Sequence, residues 1–145
     1  MTEGELFSAA AITSFRLNGQ FLAVAEGMAK PVGLTASWWQ VLGAVLHEPL
    51  PVSGIAREMG ITRQSVQRIA DLLVDKGLAE YRDNPAHRRA KLVAVTAEGL
   101  AAVRRISPQH AVLAKQLADK LGIDELQHAV EALQALSAVL EGWPS

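Results

Sequence analysis

Residues 53–78 read SGIAREMGITRQSVQRIADLLVDKGL, and the order of caps, apolar positions and glycines in this run decides the fold. Ser53 is placed to cap a short helix carrying Ile55, Ala56 and Met59. Gly60 supplies a left-handed stop, since glycine takes a positive φ without a Cβ penalty. Thr62 restarts the chain at once as the N-cap of a helix over residues 63–76, with Val66, Ile69, Leu72 and Leu73 on one face. Gly77 ends it. Two helices joined by a tight glycine turn, the second longer than the first, make a helix-turn-helix pattern.

Working outward, residues 78–82 (LAEYR) and 92–95 (LVAV) are strand-like. Between them DNPA at 83–86 is turn chemistry, followed by the basic cluster His87, Arg88, Arg89 and Lys91. This is a β-hairpin wing. Upstream, Thr35 caps a helix predicted to reach about His47, with Trp39, Leu42, Val45 and Leu46 on its apolar face, and EPLP at 48–51 reads as a turn. An alanine-rich helix covers residues 5–29, ended by KPVG at 30–33. Downstream, Thr96 opens a long helix to about Leu121, with a kink expected at Ser107 and Pro108. Gly122 breaks it, and a last helix ends near Glu141.

Composition bounds the alternatives. The chain has 145 residues, enough for one domain with a real core. Half of them are apolar, 5% are aromatic, and alanine and leucine dominate, which favours helix. No run approaches 18 apolar residues, and the acidic start MTEGE lacks the basic region of an export signal, so a cytoplasmic protein with no membrane partner is expected. There is no cysteine, which excludes disulfides and thiolate chemistry. The net charge of −1 names no partner by itself. Its distribution is more informative. Residues 57–91 hold eight basic and five acidic side chains, a local excess of positive charge in a chain that is negative elsewhere.

The polar side of the helix over 63–76 carries the main chemical signal. Arg63, Gln64, Gln67, Arg68 and Asp71 lie opposite the apolar stripe. Arginine bonds guanine bidentately and glutamine can do so with adenine, while hydroxyls and free N–H groups of a first turn, here Thr62 and Ser65, suit phosphate. Wing arginines suit the negative potential of a narrow minor groove. A merely solvated helix face fits the same residues; the short helix before it and the wing after it weigh against that. No phosphate loop, zinc-protease helix or cysteine pair appears, and His47, His87, His110 and His128 are scattered. No enzyme activity, cofactor or metal is expected. Trp39 reads as core, whereas Trp38 and Phe15 are open to lining a ligand cleft or covering an interface.

On these residues the chain resembles the MarR (multiple antibiotic resistance regulator) family of bacterial transcription factors over about residues 33–100. The matching pieces are GLT at 33–35, WQVL at 39–42, IAREMGITRQSVQR at 55–68, KGL at 76–78, NPAHRRAKLV at 84–93 and VTAEG at 95–99. Their order and spacing carry the resemblance; the flanking helices match in position and character. It implies a dimer whose first, fifth and sixth helices interlock, recognition helices in successive major grooves, and wings in flanking minor grooves. It also implies, in many members, repression relieved by phenolic or other aromatic ligands. The chain departs from the family at the wing. His87 stands where an acidic residue is usual, two before Arg89, so the supporting salt bridge does not form in the usual way. Arg88 and Arg89 both remain candidates for the minor groove. The lack of cysteine removes a peroxide-sensing mechanism, and the ligand cluster of the family's zinc sensors is not seen.

The expected architecture is mainly α with a small β-hairpin wing. It is a single domain, with a winged helix-turn-helix lobe over about 34–96 and dimerisation helices over about 5–29 and 97–141. The expected function is a homodimeric repressor of transcription bound to a pseudo-palindromic double-stranded DNA site and relieved by a small aromatic effector. Thr62, Arg63, Gln64, Ser65, Gln67, Arg68, His87, Arg88, Arg89 and Lys91 are the candidate DNA-binding residues, and Phe15, Trp38 and Trp39 the candidate ligand residues. The alternative is a winged-helix protein-interaction module that does not bind DNA.

Overall fold

The structure is a computed structural model that describes residues 1–144. Its elements are α1 (Glu3–Ala29), a 3₁₀ turn (Lys30–Val32), α2 (Ala36–Ala44), β1 (Leu50–Pro51), α3 (Val52–Met59), α4 (Arg63–Asp75), β2 (Ala79–Arg82), β3 (Leu92–Val95), α5 (Ala97–Leu121) and α6 (Ile123–Glu141). This is the winged helix-turn-helix order expected from the sequence. The chain forms two compact units, residues 1–107 and the remainder from Pro108.

In the first unit, caps set the helix boundaries. Thr2 and Glu5 form a capping box at the start of α1. Thr35 caps α2 by accepting from the Trp38 N–H at 3.0 Å, and the Glu26 carboxylate of α1 accepts from Ala36 N–H at 3.0 Å. A carboxylate at this helix start complements its dipole and ties α1 to α2. Gly60 sits at φ 66° and ends α3. Three residues later α4 begins, with Thr62 accepting from Ser65 N–H at 3.1 Å. Beneath these helices Val41, Leu42, Val45, Ile55, Val66, Leu73, Val93 and Ile106 are buried and form an aliphatic core. Full burial of one such side chain stabilises by about 1.5–3 kcal/mol.

Three expectations are corrected here. The stretch 48–51 is not only a turn, because Leu50 and Pro51 pair antiparallel with Val93 and Leu92. The sheet thus has three strands in the order β1-β3-β2. The helix after it starts at Val52 with Pro51 as N-cap, so Ser53 lies inside α3 rather than capping it. Leu72 is 38% exposed, on the flank of α4 and not in the core.

At the end of α4, Gly77 takes φ 76° and Leu78 turns the chain into β2. Thr96 then seats the start of α5 on this junction. Its Oγ1 donates to Gly77 C=O at 2.6 Å and accepts from Gly99 N–H at 3.1 Å, and its N–H donates to Leu78 C=O at 3.2 Å. Gly99 is buried directly against the Leu78 carbonyl. Helix α5 runs on through Pro108, the position at which the sequence predicts a kink.

The second unit comprises the rest of α5 and α6, joined at Gly122 with φ 95°. Most of its large apolar side chains stay exposed, among them Val130, Leu133, Leu136 and Leu140 along one side of α6. On α1 the same holds for Phe7, Ile12, Phe15 and Phe21.

Candidate nucleic-acid interface

The outward side of α4 and the wing enclose an open cleft of about 790 Å³. Arg63, Gln64 and Gln67 line it from α4, and His87, Arg89 and Lys91 from the wing. Pro51, Val52, Ser53, Tyr81 and Ala90 complete the wall, so three cations line the cleft and no carboxylate does. A second cleft of about 590 Å³ adjoins it along α3 and the first turn of α4, sharing Pro51, Ser53 and Arg63 and adding Arg57 and Thr62.

The first turn of α4 has a defined donor pattern. The first intrahelical bond runs from Val66 N–H to Thr62 C=O at 3.0 Å. Ser65 N–H is taken by the Thr62 hydroxyl, which in turn donates to Ser65 Oγ at 2.9 Å. The Thr62 proton is therefore used within the turn. The Ser65 hydroxyl proton and the N–H groups of Arg63 and Gln64 are the donors directed outward, at the positive end of the helix dipole.

The wing holds its basic residues on two consecutive tight turns. Asn84 Oδ1 accepts from Ala86 N–H at 3.0 Å, His87 N–H donates to Asn84 C=O at 3.1 Å, and Ala90 N–H donates to His87 C=O at 3.2 Å. His87, Arg88, Arg89 and Lys91 are all exposed. Among the described residues Arg63, Arg68, Arg88 and Arg89 form no ion pair. Lys91 stands 3.5 Å from Asp83, an exposed pair of little energetic weight.

The structure separates residues that the sequence left together. Arg89 faces α4 across the main cleft. Arg88 lies in a different recess, with Asp83, Asn84 and Pro85. Arg68 is exposed on α4 but lines neither of the two main clefts. Phe15 is 74% exposed on α1, whereas Trp38 and Trp39 are half-buried on α2. None of the clefts described here is lined by these three.

Two polar residues lining the cleft were not anticipated as part of it: Ser53 and Tyr81. Tyr81 points from β2 onto α4. Its hydroxyl donates to Asp71 Oδ1 and accepts from Gln67 Nε2 at 2.9 Å, and Gln67 Nε2 also donates to Asp71 Oδ1 at 3.0 Å. Burial, then the hydrogen bond and negative charge of Asp71, push the Tyr81 phenol up to about 12. Its neutral form is thus the one the site holds.

Comparison with known proteins places this geometry. The model of the MarR family matches residues 32–90, which span α2, the helix-turn-helix and most of the wing. An uncharacterized protein of Mycobacterium tuberculosis, Rv2011c, is 36% identical over 127 residues, covering 88% of this chain and 89% of its own. The transcriptional repressor CouR, solved on a 23-mer DNA duplex, superposes with a TM-score of 0.76 at 24% identity, over 94% of this chain and 98% of that one. CouR from Rhodococcus jostii RHA1, solved with p-coumaroyl-CoA, gives a TM-score of 0.76 at 21% identity, over 88% and 91%. At these identities the two structures establish the shared fold.

Proposed function

The chain belongs to the MarR family of transcription regulators, and from that premise we propose that it is a homodimeric repressor that binds a pseudo-palindromic operator and is released by a small aromatic ligand. The observation that carries the DNA-binding part is the cleft between α4 and the wing, where Arg63, Arg89 and Lys91 converge with Gln64 and Gln67 and no carboxylate is among the lining residues. A duplex needs this combination: cations to displace counterions from phosphates, and planar polar groups to read base edges.

In this reading Arg63, Gln64, Gln67 and Arg68 meet base edges in the major groove. Ser65 and the first-turn N–H groups hold a phosphate, with Thr62 shaping that turn. Arg89 and Arg88 serve the minor groove, while His87 and Lys91 meet the backbone. The alternative, a winged helix used only for protein contacts, calls for a surface without a continuous basic strip. The cationic lining from α4 to the wing weighs against it.

Dimerisation is supported by the apolar side chains left uncovered on α1 and α6. Stripes of this size on a regulator call for a second copy, and a twofold mate also explains a pseudo-palindromic site. The aromatic effector rests on less: the half-buried Trp38 and Trp39, the exposed Phe15, and the CouR structure that holds p-coumaroyl-CoA.

Selection of bound duplexes from a randomised pool tests the proposal. Enriched sites are expected to show two related half-sites roughly 34–36 Å apart, one helical turn. Binding without any enriched sequence refutes it. Sedimentation reports the dimer, and thermal shift with aromatic acids reports the effector.

A further inference from the structure

Gln64 and Gln67 both line the cleft, one turn apart on α4, but they are held differently. Among the described residues the Gln64 side chain has no hydrogen-bond partner. Gln67 has two: its Nε2 donates to Asp71 Oδ1 at 3.0 Å and to the Tyr81 hydroxyl at 2.9 Å. A carboxylate only accepts, so the amide turns its nitrogen toward this pair and not its oxygen. The two partner oxygens are in contact with each other, because the Tyr81 hydroxyl donates to the same Asp71 oxygen. They therefore share one amide proton. The second proton and Oε1 are left, one donor and one acceptor, the set that glutamine offers to adenine N7 and N6.

Asp71 lies on the same exposed helix as Gln67, four residues on, and such a pair is weak by itself. Tyr81 comes from a different element. It sits in β2, where pairing with Val93 of β3 fixes its backbone. An anchor from the sheet holds the glutamine side chain across α4 as a neighbour on the helix does not. A free glutamine gives up rotamer freedom when it meets a base, and one already held gives up less. We propose that Tyr81, together with Asp71, is a positioning residue that presets the Gln67 side chain, so that base discrimination at the pair read by Gln67 depends on a hydroxyl from the sheet. The inference rests on the DNA-binding function proposed above and adds a specificity-determining residue to it.

The test passes the wild type, Gln67→Ala, Tyr81→Phe and the double variant through the same randomised-duplex selection. Gln67→Ala identifies the base pair that depends on this residue. Tyr81→Phe keeps the ring and the charge and removes the hydroxyl. It is expected to cut the preference for the best base at that pair by about two- to tenfold, the worth of one hydrogen bond, and to leave the other pairs unchanged. In the Gln67→Ala background the same change is expected to have no effect, an outcome that neither a general disturbance of α4 nor a direct contact from Tyr81 to DNA would give. A Tyr81→Phe variant with wild-type preferences overturns the inference and leaves DNA binding intact. So does one that loses preference at every pair, one that acts equally in the Gln67→Ala background, or a Gln67→Ala variant that changes no base pair. A wild type that enriches no sequence overturns both. A readout independent of any variant's folding uses the free wild-type protein: by NMR relaxation, the order parameter of the Gln67 side-chain amide should exceed that of Gln64, and equal values refute the anchor.

Discussion

Substitution of Gly99 by alanine probes how the start of α5 is fixed to the end of α4. A Cβ at residue 99 would lie 2.0 Å from the Leu78 carbonyl oxygen, 2.9 Å from Val95 Cγ2 and 3.0 Å from the Leu78 carbonyl carbon. The valine methyl can rotate away. The carbonyl cannot, because it is backbone and accepts the Thr96 N–H at 3.2 Å. Carbon–oxygen approaches normally stop near 3.3 Å, so the first turn of α5 has to retreat by about 1 Å. That movement breaks the Thr96 bonds to Gly77 and Leu78. Overpacking costs about 1–3 kcal/mol and each lost bond about 0.5–1.5 kcal/mol, offset by about 1 kcal/mol from alanine's better helix propensity. The expected net loss is about 1–5 kcal/mol, or on the order of 10 °C in Tm. Thermal and urea unfolding followed by circular dichroism measures it, at one fixed protein concentration because association adds apparent stability. Gly43→Ala is the control, since nothing lies within 4 Å of a Cβ there. It should be neutral or stabilising by up to about 1 kcal/mol. A Gly99→Ala protein within about 0.5 kcal/mol of wild type would refute the argument, as ordinary surface substitutions fall in that range.

Three further outcomes are expected. Tyr81 is the single tyrosine of the chain, so ultraviolet titration of phenolate reads it alone, with a midpoint near pH 12 in the folded protein instead of 10.0. Because the folded value is raised, the associated stability is fully present below about pH 10 and is lost as pH rises through about 12; Asp71→Asn should lower the midpoint, and an unchanged one counts against the Asp71 contact. Thr62→Ala removes the cap of α4 and should cost about 0.5–2 kcal/mol in urea unfolding. Arg89→Ala should reduce the slope of log affinity against log salt by about one, as for one phosphate contact; equal slopes for Arg89→Ala and wild type in an anisotropy titration would remove Arg89 from the interface.

Much of the fold was legible because local chemistry decides it. Gly60 and Thr62 stand two residues apart, and each can do little else than end one helix and begin the next. Thr35 and Thr96 act in the same way. What escaped was non-local or masked by composition. Strand β1 is two residues long and includes a proline, so nothing local separates it from a turn; its identity comes from Val93 and Leu92, more than forty residues away. The capping role expected for Ser53 failed because Pro51, already committed to the sheet, starts the helix earlier. At the candidate site, residue types were readable but their company was not. Tyr81 sits ten residues from Asp71 and fourteen from Gln67, and only the register of β2 brings its hydroxyl over α4. Adjacent arginines in a loop give no hint of side, whereas the two turns of the wing send Arg89 toward α4 and Arg88 into another recess.

The small sheet is closed to growth at both margins. On one margin Pro51 has no N–H to offer an incoming strand, and Pro49 stands just before the pair. On the other, β2 is four residues long and carries the exposed, mutually paired Glu80 and Arg82. An uncapped margin is a template for intermolecular β-pairing, and short, charged or proline-bearing edges suppress it. Copies of this protein crowded onto neighbouring sites can therefore abut without zipping their wings together into aggregates.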